Sequence, residues 1–222
     1  MAFPLSLLFI IYILISAYLQ ASNDSLKNKV SPGLTAFCGL LVLYGAIVGN
    51  VPQTQGIILC IALLLLAASD FVFEKSVAKP ELFPIAIGFG VISGFIIGIT
   101  FNVNAFSAGL SWSVFAIFAL ISVIASVFVY RMLKVDPPYQ IPVYVYLLQA
   151  VILLTGGLAS LFVGNYAFAV WGVFIFLSDA LVGIRAFPDK ENPIRWLSEY
   201  RILFAIIVLY YSAQYALVSW AL

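Results

Sequence analysis

The sequence predicts an all-α integral membrane protein, a bundle of eight transmembrane helices forming a single domain over residues 1–222. Three observations carry this: composition, the length of the apolar runs and the placement of basic residues. The chain is 64% hydrophobic and only 9% charged, with a mean hydropathy of +1.16. A soluble domain carries about 25% charged residues, so this chain cannot cover a water-facing surface. An outer-membrane barrel would alternate apolar and polar residues over about 10 positions. Here the apolar runs are continuous, with the length a helix needs to cross a hydrocarbon core of about 30 Å.

The runs cover about 3–19, 32–49, 55–73, 82–101, 109–130, 141–161, 165–184 and 200–221. No Lys or Arg precedes the first, so it is predicted to remain as a helix rather than be removed as a signal peptide. The second starts after Lys29 in KVSP and holds Cys38; the third holds Cys60. Both cysteines read as small buried hydrophobes. The fourth carries Gly90, Gly94 and Gly98, a spacing suited to close helix packing. The fifth leads to Arg131, and the sixth follows KVDP, residues 134–137. The seventh and eighth contain FIFLSDALVGIR, 174–185, and LYYSAQYAL, 209–217.

All ten basic residues fall in or beside alternate connections: Lys27 and Lys29, Lys75 and Lys79, Arg131 and Lys134, then Arg185, Lys190, Arg195 and Arg201. The remaining connections and both ends have none. Basic residues stay in the cytoplasm. Both termini are therefore expected on the non-cytoplasmic side, in a multi-pass protein of the bacterial inner (cytoplasmic) membrane.

An internal repeat is expected, with halves of about 1–105 and 106–222. Ser-Asp occurs late in an outside-to-inside helix twice, as Ser69-Asp70 and Ser178-Asp179, five or six positions before a basic residue. At about 1.5 Å per residue the two aspartates share nearly one depth. KVSP and KVDP precede the second and sixth helices in the same order. Four helices per half predict a parallel repeat about an axis along the membrane normal, with the third and seventh helices equivalent and their carboxylates facing across it.

A carboxylate in hydrocarbon costs roughly 2.5–3.5 kcal/mol on insertion scales and reads by default as functional. The chain has no histidine, which excludes His-based zinc sites, Ser-His-Asp triads and histidine relays. No metal, cofactor or nucleic-acid partner is expected. Asp70 and Asp179 are the candidate catalytic pair. Around them, Ser69, Ser178, Lys29, Lys134, Arg185, Tyr210 and Gln214 are candidate substrate-binding or cavity-lining residues. Tyr210 and Gln214 lie four apart on one helix face near mid-membrane. The serine hydroxyls can instead bond a carbonyl four residues back, and the basic side chains can snorkel to the interface. Tyr144, Tyr146 and Gln149 rank lower, since those tyrosines lie near the cytosolic end of their helix.

The stretches WGVFIFLSDALVGIRAF (171–187), LFAIIVLYYSAQYAL (203–217) and LLLLAASDFVF (63–73), with KVSP, resemble the YhhN-like membrane proteins, a family that includes the lysoplasmalogenases. Ser69 stands where that family commonly has glycine, and the histidine that many relatives carry in the fourth helix is absent. The resemblance implies a membrane-embedded hydrolase that cleaves the vinyl ether bond of a lysoplasmalogen. The products would be a fatty aldehyde and a glycerophospho-headgroup, and the substrate a lysophospholipid or other single-chain lipid. Vinyl ethers hydrolyse through protonation at carbon and an oxocarbenium ion, which suits paired carboxylates of the kind glycosidases use. Spacing does not say which aspartate is the acid and which the base. Two other readings fit the same residues: a proton-coupled or lipid transporter using the aspartate pair, and a scaffold with no substrate.

Overall fold

A computed structural model describes residues 2–22, 24–76, 79–187 and 199–222. Eight α-helices fill these segments: α1 (Ala2–Ser22), α2 (Asp24–Ile47), α3 (Gln53–Ser76), α4 (Phe83–Ser107), α5 (Trp112–Arg131), α6 (Gln140–Phe162), α7 (Tyr166–Ala186) and α8 (Glu199–Ala221). Short 3₁₀ turns, Pro80–Leu82 and Pro137–Tyr139, lead into α4 and α6. Among the described residues six helices, α3 to α8, are long and apolar enough to cross a membrane. The protein is a multi-pass helical membrane protein, and no strand occurs among the described residues.

The expected runs match these helices with two substantial differences: α4 continues to Ser107, six residues past the expected end at 101, and α2 starts early. The second run starts at Pro32, yet α2 begins at Asp24 and contains Pro32. Proline lacks an N–H and removes one rung of the helical ladder, but the preceding polar residues continue the helix regardless.

The three turns after α2, α4 and α6 are built alike. Gly49, Gly109 and Gly164 adopt φ of 84°, 97° and 82°, the left-handed region where a Cβ is penalised. The next residue in each case donates its N–H five residues back: Asn50 to Gly45, Leu110 to Ala105 and Asn165 to Ser160, at 2.8–3.0 Å. This is the Schellman closure of a helix C-terminus. The Asn165 side chain then accepts from the Phe168 N–H and caps α7. The sequence Val-Gly-Asn occurs at both 48–50 and 163–165.

Packing closes a ring of six helices: α2 on α3, α3 on α4, α4 on α6, α6 on α7, α7 on α8 and α8 back on α2. Helix α1 lies outside against α8 and α2, and α5 lies outside against α6. In this order α3 stands opposite α7, with other helices on each side of both. Hydrocarbon tails are as apolar as leucine, so association rests on close packing and interhelical hydrogen bonds. A Cβ added to Gly157 in α6 would lie 3.1 Å from the Gly172 Cα in α7, so these backbones touch only because both residues lack side chains. Ser93 donates to the Ala62 carbonyl, joining α4 to α3, and Asn102 donates to Ile152, joining α4 to α6. Such bonds are worth about 0.6 kcal/mol each on average in a bilayer. Large side chains such as Ile117, Leu120, Ile124 and Phe128 on α5 point outward, as a lipid-facing surface requires.

Candidate functional site

The ring encloses a cavity of about 200 Å³, lined mainly by apolar side chains. Near the end that carries Lys75, Arg131 and Arg185 it is bounded by Ser31, Phe73, Glu74, Phe83, Leu133 and Phe187. The lining ends in the other direction at Leu153 and Trp171. Beyond them, Phe101 and Phe168 stack at 4.2 Å between ring centroids, Trp171 meets Phe101 edge-on at 5.7 Å, and Trp220 packs on Phe168 at 4.9 Å. Phe101, Phe168 and Trp171 are fully buried. The cavity therefore runs from the basic end to an aromatic floor.

Asp70 from α3 and Asp179 from α7 both line it, close enough for their carboxyl groups to interact electrostatically. Ring order explains this, because opposite helices point their inward faces at one space. The two carboxylates differ in their partners. Tyr210 of α8 donates to Asp70 Oδ2 at 2.6 Å, the short distance of a charge-assisted O–H···O bond. Thr35 Oγ1 lies 3.2 Å from the same oxygen, 2.9 Å from the Tyr210 hydroxyl and 3.1 Å from the Ser31 carbonyl. A hydroxyl has one hydrogen, so Thr35 serves one of these acceptors at a time. Asp179 pairs with the Tyr146 hydroxyl from α6.

The two Ser-Asp serines play matching parts. Ser69 donates to the Ala86 carbonyl of α4 at 2.8 Å, and Ser178 donates to the Ile206 carbonyl of α8 at 3.2 Å. Each hydroxyl thus ties its helix to the next one in the chain, rather than to its own carbonyl one turn back. Both residues also border the cavity.

The other expected site residues scatter. Tyr210 lines the cavity. Gln214, one turn further along α8, is fully buried but does not line it. Lys134 is exposed, and its backbone N–H bonds the Phe187 carbonyl at 3.3 Å. Its side chain is not part of the lining, and neither is that of the half-buried Arg185. The Lys29 side chain lies outside the described residues. Among the described lining residues the charged groups are Asp70, Glu74 and Asp179, all acidic. Thr35 is a residue that the sequence reading passed over, and Tyr146 and Gln149, which it ranked lower, line the cavity. For Thr35 a signal existed, since it is the one hydroxyl in the apolar run 32–43 and follows Ser31 by one turn. Gly90 and Gly94 open space for Ser69 and Gln149, and Gly98 lets α4 approach the backbone of α6 at Leu153.

Taken together, fold and cavity define a multi-pass helical membrane protein with two carboxylates facing one internal, floored cavity. No family model, curated protein or solved structure matches the chain.

Proposed function

We propose that the protein is a membrane-embedded lipid hydrolase that cleaves the vinyl ether bond of a single-chain ether lipid, a lysoplasmalogen or a close analogue, by acid–base catalysis between Asp70 and Asp179. The observation that carries this reading is the pair of carboxylates lining one apolar cavity that ends on an aromatic floor. The sequence resemblance to the YhhN-like family agrees with it. Eight membrane crossings, a parallel two-half repeat and both termini on the non-cytoplasmic side belong to the same reading. It is supported by neighbours that follow in the same order in α2–α4 and α6–α8.

The reaction needs a proton on the β-carbon of the vinyl ether, water at the α-carbon and a home for the proton that water gives up. Hydroxyl donors on a carboxylate oxygen favour its ionised form. Asp70 has Tyr210 and Thr35 converging on Oδ2, which suits it as the carboxylate facing the cation. Asp179 then delivers its proton to carbon. The resulting oxocarbenium ion takes up water, Asp70 receives the released proton, and the hemiacetal collapses to aldehyde and free glycerol hydroxyl. A lipid would enter with its chain toward Trp171 and its headgroup toward the basic end. From Asp179 to Trp171 the rise along α7 is about 12 Å, an apolar stretch suited to a chain. A transporter would need a path to both faces, and the Phe101–Phe168–Trp171 floor closes one end.

The test is to incubate the purified protein with a lysoplasmalogen and with saturated alkyl and acyl lysolipids of the same headgroup. Aldehyde is expected from the vinyl ether alone. Absence of aldehyde from the vinyl ether would refute the hydrolase reading.

A further inference from the structure

The cavity lining includes a buried amide that the hydrolysis described above does not use. Gln149 of α6 is 2% exposed, lines the cavity, and has an Oε1 without a hydrogen-bond partner. An unpaired buried polar atom is costly; the oxygen is shielded as the side chain stands, and a half-turn of the amide, which exchanges its O and N positions, presents it to whatever enters the cavity. The fold makes room for it: a Cβ on Gly94 of α4 would collide with the Gln149 side chain, so this amide fills the space that the missing side chain leaves. Gln149 follows Tyr146 by three residues, which places it on the same face of α6, next to the tyrosine that pairs with Asp179. Gln214 is equally buried and its amide is equally unpartnered, but it does not border the cavity.

We propose that Gln149 binds the water that completes hydrolysis. Water donates one hydrogen to the amide oxygen, which leaves a lone pair on its own oxygen aimed at the α-carbon of the cation. The new carbon–oxygen bond forms as the second water proton passes to the Asp70 carboxylate. No oxidant, reductant or metal enters this step. Gln149 is a positioning residue here. This inference rests on the hydrolase reading above, and it assigns the origin of the water that the carboxylates alone leave unplaced.

The test is competition between water and methanol for the cation. Capture by water yields the fatty aldehyde, whereas capture by methanol yields a mixed methyl acetal that keeps the glycerol headgroup. The ratio of the two products reads the positioning of water and is independent of the overall rate. Gln149→Met fills the site without an acceptor and is expected to raise the acetal-to-aldehyde ratio by about two- to tenfold, the worth of one ordinary hydrogen bond. Gln149→Glu keeps an acceptor and should hold the parental ratio. Should the Met variant fail to fold, Gln149→Asn draws the acceptor back by one methylene and should also raise the ratio. An unchanged ratio in a variant that turns over would overturn the assignment and leave the hydrolase reading standing. No turnover by the parent protein would overturn both.

Discussion

Tyr210→Phe is the most direct probe of the site, because it removes one hydroxyl and little else. That hydroxyl donates to Asp70 Oδ2 at 2.6 Å and lies 2.9 Å from Thr35 Oγ1. Hydrogen bonds to a charged group are worth about 1.5–3 kcal/mol. If the bond holds the Asp70 carboxylate in place as the cation forms, the whole amount appears in the barrier. At 1.4 kcal/mol per factor of ten, turnover should fall by about 10- to 150-fold. Folding stability should change less, since polar interactions between membrane helices average about 0.6 kcal/mol by mutant cycles. The assay pairs initial rates of aldehyde release with thermal unfolding in the same detergent. Thr35→Val should act in the same direction but more weakly, because its hydrogen is shared among three acceptors. The double variant should lose less than the sum of the single losses, as residues in one network do. A near-parental rate in Tyr210→Phe, or strict additivity in the double variant, would refute the claim that these hydroxyls organise Asp70.

Further expectations can be checked independently. Asp70→Asn and Asp179→Asn should each lower turnover by at least about 10²–10⁴-fold, the usual contribution of general acid–base catalysis, while leaving unfolding curves similar. Parental turnover should also slow in D₂O, measured as a ratio of initial rates, because a proton moves to carbon in the proposed slow step. Gly157→Val forces a side chain against Gly172, where even a Cβ has 3.1 Å to the facing Cα. Overpacking of this kind costs about 1–3 kcal/mol and should appear as a lower thermal midpoint. Reporter fusions at both termini should give non-cytoplasmic signals, given that the ten basic residues gather at alternate connections.

The helices and the two aspartates were legible because each rests on a one-dimensional signal. Apolar run length reports a crossing, and distance from a basic anchor reports depth. Depth alone ranked Tyr146 too low: a tyrosine near a helix end reads as part of the interfacial belt. Yet Tyr146 lies six residues into α6 and Asp179 seven residues before the end of α7, about 9–10 Å from the same end in both cases. They meet because they share a level. What the sequence could not report is direction around each helix axis, which depends on the neighbours. Lys134 and Arg185 share one end of the bundle with Lys75 and Arg131, but their side chains do not reach the cavity lining. Gln214 shares a helix with Tyr210 and is fully buried, yet it faces packed protein. Thr35 stayed unseen because its partner, Asp70, is 35 residues away and its acceptors come from three helices.

The opposed aspartates raise a final physical point. A ring in which α3 and α7 occupy opposite places would give their carboxylates identical surroundings if the flanking residues were also alike. Two identical acids offer no division of labour, since a reaction that both gives and takes a proton needs groups in different states. The difference is supplied by the flanking helices. The Ser-Asp pairs keep the same anchoring bond on both sides, Ser69 to α4 and Ser178 to α8, so the backbone geometry is matched. The hydroxyls are not matched: Tyr210 and Thr35 converge on Asp70, whereas Tyr146 meets Asp179 from the side where Gln149 also stands. Moving a donor from one side to the other should then exchange the roles rather than abolish them. Combining Tyr210→Phe with a new hydroxyl one turn from Asp179 on the same face of α7, Gly183→Ser, where a Cβ meets only the Leu133 side chain at 3.5 Å, should recover part of the turnover lost in Tyr210→Phe. If that combined variant is no faster than Tyr210→Phe alone, the hydroxyl count is not what separates acid from base.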